Sequence, residues 1–287
     1  MPFHRKKVAL KSSVLKPTIL TIAILLAISA AYTFGKMNSS SDEKNSADEE
    51  KQELEIKSSG LDADDDVSDV GDVEKVIAKW IAANPKAIIE SVNNMQKEEM
   101  EKRTRDAQKN IGAKKSELFN DKNSPQYAPS GYDVTIVEFF DYSCGYCKKA
   151  QATVEQLLSA DKKVRFIFKE FPIFGQTSVE ASSVALAVHL VEQSSYKKFH
   201  DAMMKSNEKG KDGALKVAKS VGINVAKVEE ALVKQKDKIA SMIQENQKLG
   251  SEIGVNGTPG FVIGEELIPG AVELSDFKQK VAALRKK

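Results

Sequence analysis

From Val73 onward, apolar side chains recur at helical spacing. Val73, Val76, Ile77, Trp80 and Ile81 fall at i, i+3, i+4, i+7 and i+8, one stripe of an amphipathic helix. Asn84-Pro85 interrupts it, with Asn in the role of a cap and Pro at a first helical position. Ile88, Ile89, Val92 and Met95 begin a second stripe, and Gln96 to Lys115 is almost entirely charged or polar, as in a solvent-exposed helix with Glu–Lys neighbours. The pattern then changes period. Val134-Thr135-Ile136-Val137-Glu138-Phe139-Phe140 is an apolar, β-branched run that fits a buried central strand. A helical pattern follows through Leu158, and Lys163 to Phe168 alternates as a second strand. About 90 residues of mostly helical pattern precede Phe261-Val262-Ile263 and the run around Leu267-Ile268, joined by the hairpin signal Gly264-Glu265-Glu266. A terminal helix is predicted from about Ser275, its cap, to Leu284. Strands alternating with helices make this an α/β domain.

Ahead of Val73 the chain is built differently. Pro17 to Gly35 is uncharged and would reach about 28 Å as a helix, close to a bilayer core of about 30 Å. His4, Arg5, Lys6, Lys7, Lys11 and Lys16 precede it and hold the N-terminus on the cytoplasmic side, so the chain beyond Lys36 is expected to be exported. Small residues at Ser29-Ala30-Ala31 offer a cleavage site, whereas the length of the apolar stretch favours a retained anchor over residues 17–35. Between Asn38 and Asp72 stand 13 acidic residues and three lysines, with too little apolar surface to offset the entropy of ordering. Asp62, Asp64 and Asp66 resemble the start of a calcium loop, but Val67 and Val73 occupy the positions of its turn Gly and bidentate Glu. The expected organisation is thus a signal anchor or signal peptide (1–37), a disordered acidic spacer (38–72), a helical arm (73–120) and an α/β domain (131–287). The two stripes of the arm either dock on that domain or meet copies of themselves. The polar helix and the loop at Asn123-Ser124-Pro125 separate them from it, which favours a homo-oligomer through residues 73–95.

Totals alone would hide this. The net charge of +2 is the balance of a basic leader, an acidic spacer and a mildly basic remainder, and it excludes the strong basic excess of a nucleic-acid-binding protein. Two cysteines cannot staple a disulfide scaffold. Both lie in Cys144-Gly145-Tyr146-Cys147, at the turn from strand to helix. A sulfur at a helix N-terminus faces unpaired N–H groups that stabilise thiolate, which makes the first cysteine reactive near neutral pH. Zinc ribbons share the spacing, but there is no second CxxC, and His189 and His200 lie 42 and 53 residues beyond Cys147 in helical stretches. A Cu(I)-binding thiol module is a further, non-enzymatic reading, with no Met or His near the pair to assist.

The order of strand, CGYC, helix, strand, helical insertion, Thr258-Pro259, hairpin and terminal helix resembles a thioredoxin fold of the DsbA type, over about Tyr132 to Leu284. The resemblance implies that Thr258-Pro259 is a cis-proline loop facing the cysteines and pairing with substrate backbone. It implies that Glu138, six residues before Cys144, is a buried acid handling protons near Cys147. An acid inside Val-Glu-Phe-Phe needs such a reason. Lys169-Glu170-Phe171-Pro172 resembles the segment with which this family leaves its second strand. The Trp80 helix, Asn84-Pro85 and Ile88-Ile89-Glu90-Ser91-Val92 resemble the oligomerising arm of the ScsC group, which pairs that arm with a CxYC site and a Thr before the cis-proline. What this implies is a periplasmic thiol–disulfide oxidoreductase, anchored to the inner membrane, with no metal or cofactor, acting on exported client proteins with cysteines and served by a membrane redox partner. Cys144 attacks, Cys147 resolves, and Gly145, Tyr146, Thr258 and Pro259 flank the substrate. Gly145-Tyr146 lacks the His of strong oxidases, which favours an isomerase or reductase over a DsbA-like oxidase.

Overall fold

A computed structural model describes residues 70–286. The expected leader, the expected anchor at 17–35 and the expected spacer through residue 69, including the Asp62–Asp66 run, lie outside the described residues. Among the described residues, no helix is long and apolar enough to cross a membrane. The chain enters as α1 (Val70–Ala83), α2 (Pro85–Ala113) and the short α3 (Lys115–Phe119). Pro85 opens α2 as predicted, but Asn84 does not cap it. Its side-chain amide instead donates to the Trp80 carbonyl at 2.8 Å and closes the end of α1, because an amide can serve orphan carbonyls as readily as orphan N–H groups.

The domain follows as β1 (Gln126–Tyr127), β2 (Val134–Phe140), α4 (Gly145–Ala160) and β3 (Val164–Glu170). β2 and β3 are parallel, in register from Val134–Val164 to Phe140–Glu170, and α4 supplies the crossover that parallel strands require. The helical insertion comprises α5 (Gln176–Val191), α6 (Tyr196–Lys205), α7 (Gly210–Ser220), α8 (Val225–Lys234) and α9 (Lys236–Glu252). The chain returns to the sheet as β4 (Gly260–Ile263) and β5 (Glu266–Pro269), then ends in α10 (Leu274–Leu284). Strand order is β1-β3-β2-β4-β5, with β2 central as its apolar run predicted. The hairpin turn is only Gly264-Glu265. Gly264 sits at φ 63°, where a Cβ would also lie 2.7 Å from Leu284. The edge strand β1 has two residues, too few to show a period in sequence.

Both faces of the sheet are buried. On one, Ile136, Phe140, Phe166, Phe168 and Phe261 pack with α4, α5 and α10. On the other, Val137, Phe139, Ile167 and Val262 meet Ile111 of α2, Leu118 of α3, Leu249 of α9 and Ile253 beyond it. The last turn of the long helix therefore helps close the second core. The earlier part of α2 and the preceding α1 do not: Ile77 of α1 and Ile89 and Met95 of α2 are each about half exposed, and neither stripe touches a core of the described domain. The charged middle of α2 carries i, i+4 pairs between Arg103 and Glu99 and between Arg105 and Glu101.

Candidate active site

Cys144 is the N-cap of α4 (φ −77°, ψ 118°), so its sulfur faces the unpaired N–H groups of the first turn. Both cysteines are buried and unbridged. The Thr258–Pro259 bond is cis, and the Cys144 thiol donates to the Thr258 carbonyl at 3.2 Å. A hydrogen bond from the Cys147 thiol, with help from Thr258 and the backbone N–H groups of Cys147 and Tyr146, brings the Cys144 pKa down to about 5 against the cost of burial. Burial pushes the Cys147 thiol far up, reinforced by its bond to Cys144 and by the nearby Glu138. One sulfur is thus poised as an anion and the other held as a thiol. Deprotonating Cys144 removes its donor to the Thr258 carbonyl. The Thr258 hydroxyl, buried and without a partner, is then available to donate to the thiolate.

Asp141, which sequence reasoning did not single out, fixes this turn. It is fully buried, and its Oδ1 accepts from the Ser143 N–H at 2.7 Å. Its Oδ2 accepts from the N–H groups of Ile173 and Phe174 at 2.8 and 3.1 Å, and its carbonyl takes the Cys144 N–H at 3.0 Å. An Asp two residues before a bonded N–H is an Asx-turn signal, legible in Asp141-Tyr142-Ser143. Tyr146 is 69% exposed and Gly145 has open space around it, so this dipeptide forms the outer rim.

Glu138 lies on the face of β2 that carries the cysteine-side core. It is 2% exposed, its Oε2 has no partner, and burial, Cys144 and Glu170 together raise its pKa to about 8. His189 and His200 are buried in α5 and α6, and among the described residues no group of three or more His, Cys, Asp or Glu is placed to hold a metal.

A family profile described as the DSBA-like thioredoxin domain matches residues 135–282. The chain belongs to the DSBA-like thioredoxin family. Solved structures similar to it include the thiol-disulfide exchange protein alpha-DsbA2 from Wolbachia pipientis, at 32% identity and TM-score 0.59 over 62% of this chain and 95% of that one. A thioredoxin-like oxidoreductase from Silicibacter pomeroyi is 38% identical with TM-score 0.56, over 60% of this chain and 98% of that one. The catalytic domain of Proteus mirabilis ScsC is 25% identical with TM-score 0.56, over 63% and 99%. The DsbA-type resemblance, with its ScsC branch, therefore stands. Among curated proteins, "Na(+)/H(+) antiporter NhaA 3" of Salinispora tropica is 26% identical over 145 residues, 48% of this chain and 21% of that protein. The chain spans about a fifth of that relative's length.

Proposed function

We propose that this DSBA-like chain is an exported thiol–disulfide oxidoreductase that works by dithiol/disulfide exchange at Cys144 and Cys147, as an isomerase or reductase of client proteins. The observation that carries the reading is the split pair of buried thiols, with Cys144 at the N-cap of α4 and 3.2 Å from the Thr258 carbonyl. Cys144 thiolate attacks a client disulfide, forming a mixed disulfide and releasing one client sulfur as thiolate. Cys147 then gives up its proton through Glu138 and attacks Cys144 Sγ. The second client sulfur leaves, and Cys144 and Cys147 are bridged. Thr258 and Pro259 align the client strand, and Gly145 and Tyr146 form its outer contact. A membrane thiol–disulfide partner resets the pair. The basic, apolar leader and the periplasmic location given for a similar thioredoxin-like protein of Salmonella enterica support export to that compartment.

The isomerase direction draws on the exposed stripes of α1 and α2. Joined through them, several copies would hold a misbridged client among several active sites. One observation favours the opposite direction: a thiolate stabilised to about pH 5 favours the reduced state, which makes a pair more oxidising. Full-length protein in detergent, mixed with a scrambled-disulfide client and separately with its reduced form, decides. Recovery of native client from the scrambled form supports the isomerase. Oxidation of reduced client without such recovery supports the oxidase. Neither activity overturns exchange altogether.

A further inference from the structure

Behind the cysteines, the sheet face that carries Glu138 holds a second buried acid. Glu170 ends β3 opposite Phe140, two residues beyond the Phe168 that pairs with Glu138, so strand alternation puts both carboxyls on one face. Glu170 is fully buried. Its Oε1 accepts from the hydroxyls of Tyr196 at 2.7 Å and Tyr142 at 3.2 Å, and the Tyr142 hydroxyl also lies 3.3 Å from His200 Nδ1. Its Oε2 lies beside the Ser182 hydroxyl of α5, which favours the ionised carboxylate against the cost of burial although the two form no well-aligned hydrogen bond, and His200 Nε2 is buried without a hydrogen-bond partner. From α9, the Asn246 amide reaches only the Glu170 backbone carbonyl, at 3.2 Å.

The charges facing this cluster do not neutralise it. Asp141 acts on Glu170, Cys144 acts on Glu138, and Asp201 of α6 acts on Tyr142. Lys197 of α6 is engaged by Asp201 at 2.6 Å, and burial together with that lysine keeps His200 neutral, its pKa brought down to about 3. An ionised carboxylate in a dry core is costly unless each oxygen finds a well-aligned donor. Two of them beside the Cys144 thiolate would repel strongly, and each acid is raised to about 8, chiefly by burial.

We propose that Glu170 is a positioning residue for disulfide exchange: Glu138 and Glu170 form a coupled carboxyl pair holding at most one negative charge, and the protonation of Glu170 governs when Glu138 can take the Cys147 proton. This rests on the exchange reading above. In the resolving step the Cys147 S–H proton passes to the Glu138 carboxylate, and the sulfur lone pair forms the bond to Cys144. The client sulfur departs as thiolate with the electrons of the broken S–S bond. A neutral Glu170 lets Glu138 ionise at lower pH. The tyrosine donors, which stabilise charge on Glu170, delay it.

The test is single-turnover release of 5-thio-2-nitrobenzoate from its mixed disulfide with Cys144 of the full chain in detergent, followed against pH. Wild type is expected to show a Cys147-dependent release with a pH step, and Glu138→Gln to lose that step. Glu170→Gln should move the step down by roughly half a pH unit or more, a threefold rate change on its rising limb. Tyr196→Phe keeps both acids and a near-native shape, and should move it in the same direction. The alkylation profile of Cys144 serves as the control that the nucleophile is intact. Unmoved steps in Glu170→Gln and Tyr196→Phe, with wild-type release intact, overturn the coupling alone. No Cys147-dependent release in wild type overturns the exchange reading and the coupling with it.

Discussion

The Cys144 thiol donates to the Thr258 carbonyl at 3.2 Å, joining two residues 114 positions apart in sequence. The contact brings the reactive sulfur against the cis-proline loop. Separately, the Thr258 side chain helps hold the Cys144 pKa down. Thr258→Val, which keeps the shape and removes the Oγ, is expected to raise the Cys144 pKa by about one unit, the worth of one charge-assisted hydrogen bond. Iodoacetamide alkylation against pH reads the shift. An unchanged midpoint would remove Thr258 from the thiolate's stabilisation.

In wild type that alkylation should follow one titration with its midpoint near pH 5, with Cys147 unreactive over the same range. The linkage has a definite sign. The folded-state pKa of Cys144 is depressed below its ordinary value, so its thiolate stabilises the reduced fold fully at alkaline pH, and that contribution is lost as pH falls through about 5. Melting reduced and oxidised protein across pH should show the reduced form losing ground on acidification. The reverse trend would contradict the assignment.

Glu138 carries the opposite sign. Its folded pKa is raised to about 8 from an ordinary 4.5, so the fold loses stability as pH rises between those values. Glu138→Gln should therefore raise Tm at pH 7.5 by about 4 °C or more and change it little near pH 4. The same variant should slow mixed-disulfide resolution by about 100-fold while sparing the first attack by Cys144. A variant melting like wild type at pH 7.5 would mean that the acid is not held neutral.

On the far face of the sheet, Lys169 is 2% exposed and its ammonium meets Asp121 at 2.8 Å. Asp121→Asn leaves a buried cation without its counter-charge and is expected to cost about 3 kcal/mol in denaturant unfolding. Lys169→Met on top of it should recover most of that loss, since an apolar side chain suits the site. Loss without recovery would place the effect of Asp121 in its bonds to Ser124 and the Asn123 N–H instead.

The exposed stripe gives the last expectation. Ile77→Asp with Ile89→Asp alters residues that touch no domain core, so Tm of the domain should stay within about 2 °C. Self-association, read by light scattering of the full chain in detergent, should be lost, and recovery of scrambled client with it, while oxidation of reduced client persists. An unchanged assembly mass would assign the stripe to another partner.

Much of the fold could be read directly. Val134–Phe140 appears as a strand with the bounds its pattern predicts, because a strand buried on both faces reads as a near-continuous apolar run, here broken by Glu138. The hairpin at Gly264 and the turn carrying the cysteines were equally plain, since each depends on local residue chemistry. Long-range packing was not. Ile111 and Leu118 sit in a polar neighbourhood of sequence, and nothing local marks them as the lid of the second core. Asn84 could cap in either direction, and only the geometry chooses. Glu170 was visible as part of Lys-Glu-Phe-Pro, but its tyrosine partners come from a loop and a helix distant in sequence.

Because its last turn is embedded in the second core, α2 leaves the domain as a stiff strut. The rise from Ile88 to Ile111 along one unbroken helix is about 35 Å. Copies meeting at the stripe would hold their cysteines at a set stand-off, with the facing direction fixed by helical phase. Adding or deleting one residue in the charged segment would turn each active site by about 100° about the strut. The length of that segment would then be a geometric parameter of such an assembly, while the identity of its charged residues would matter mainly for keeping it straight and wet.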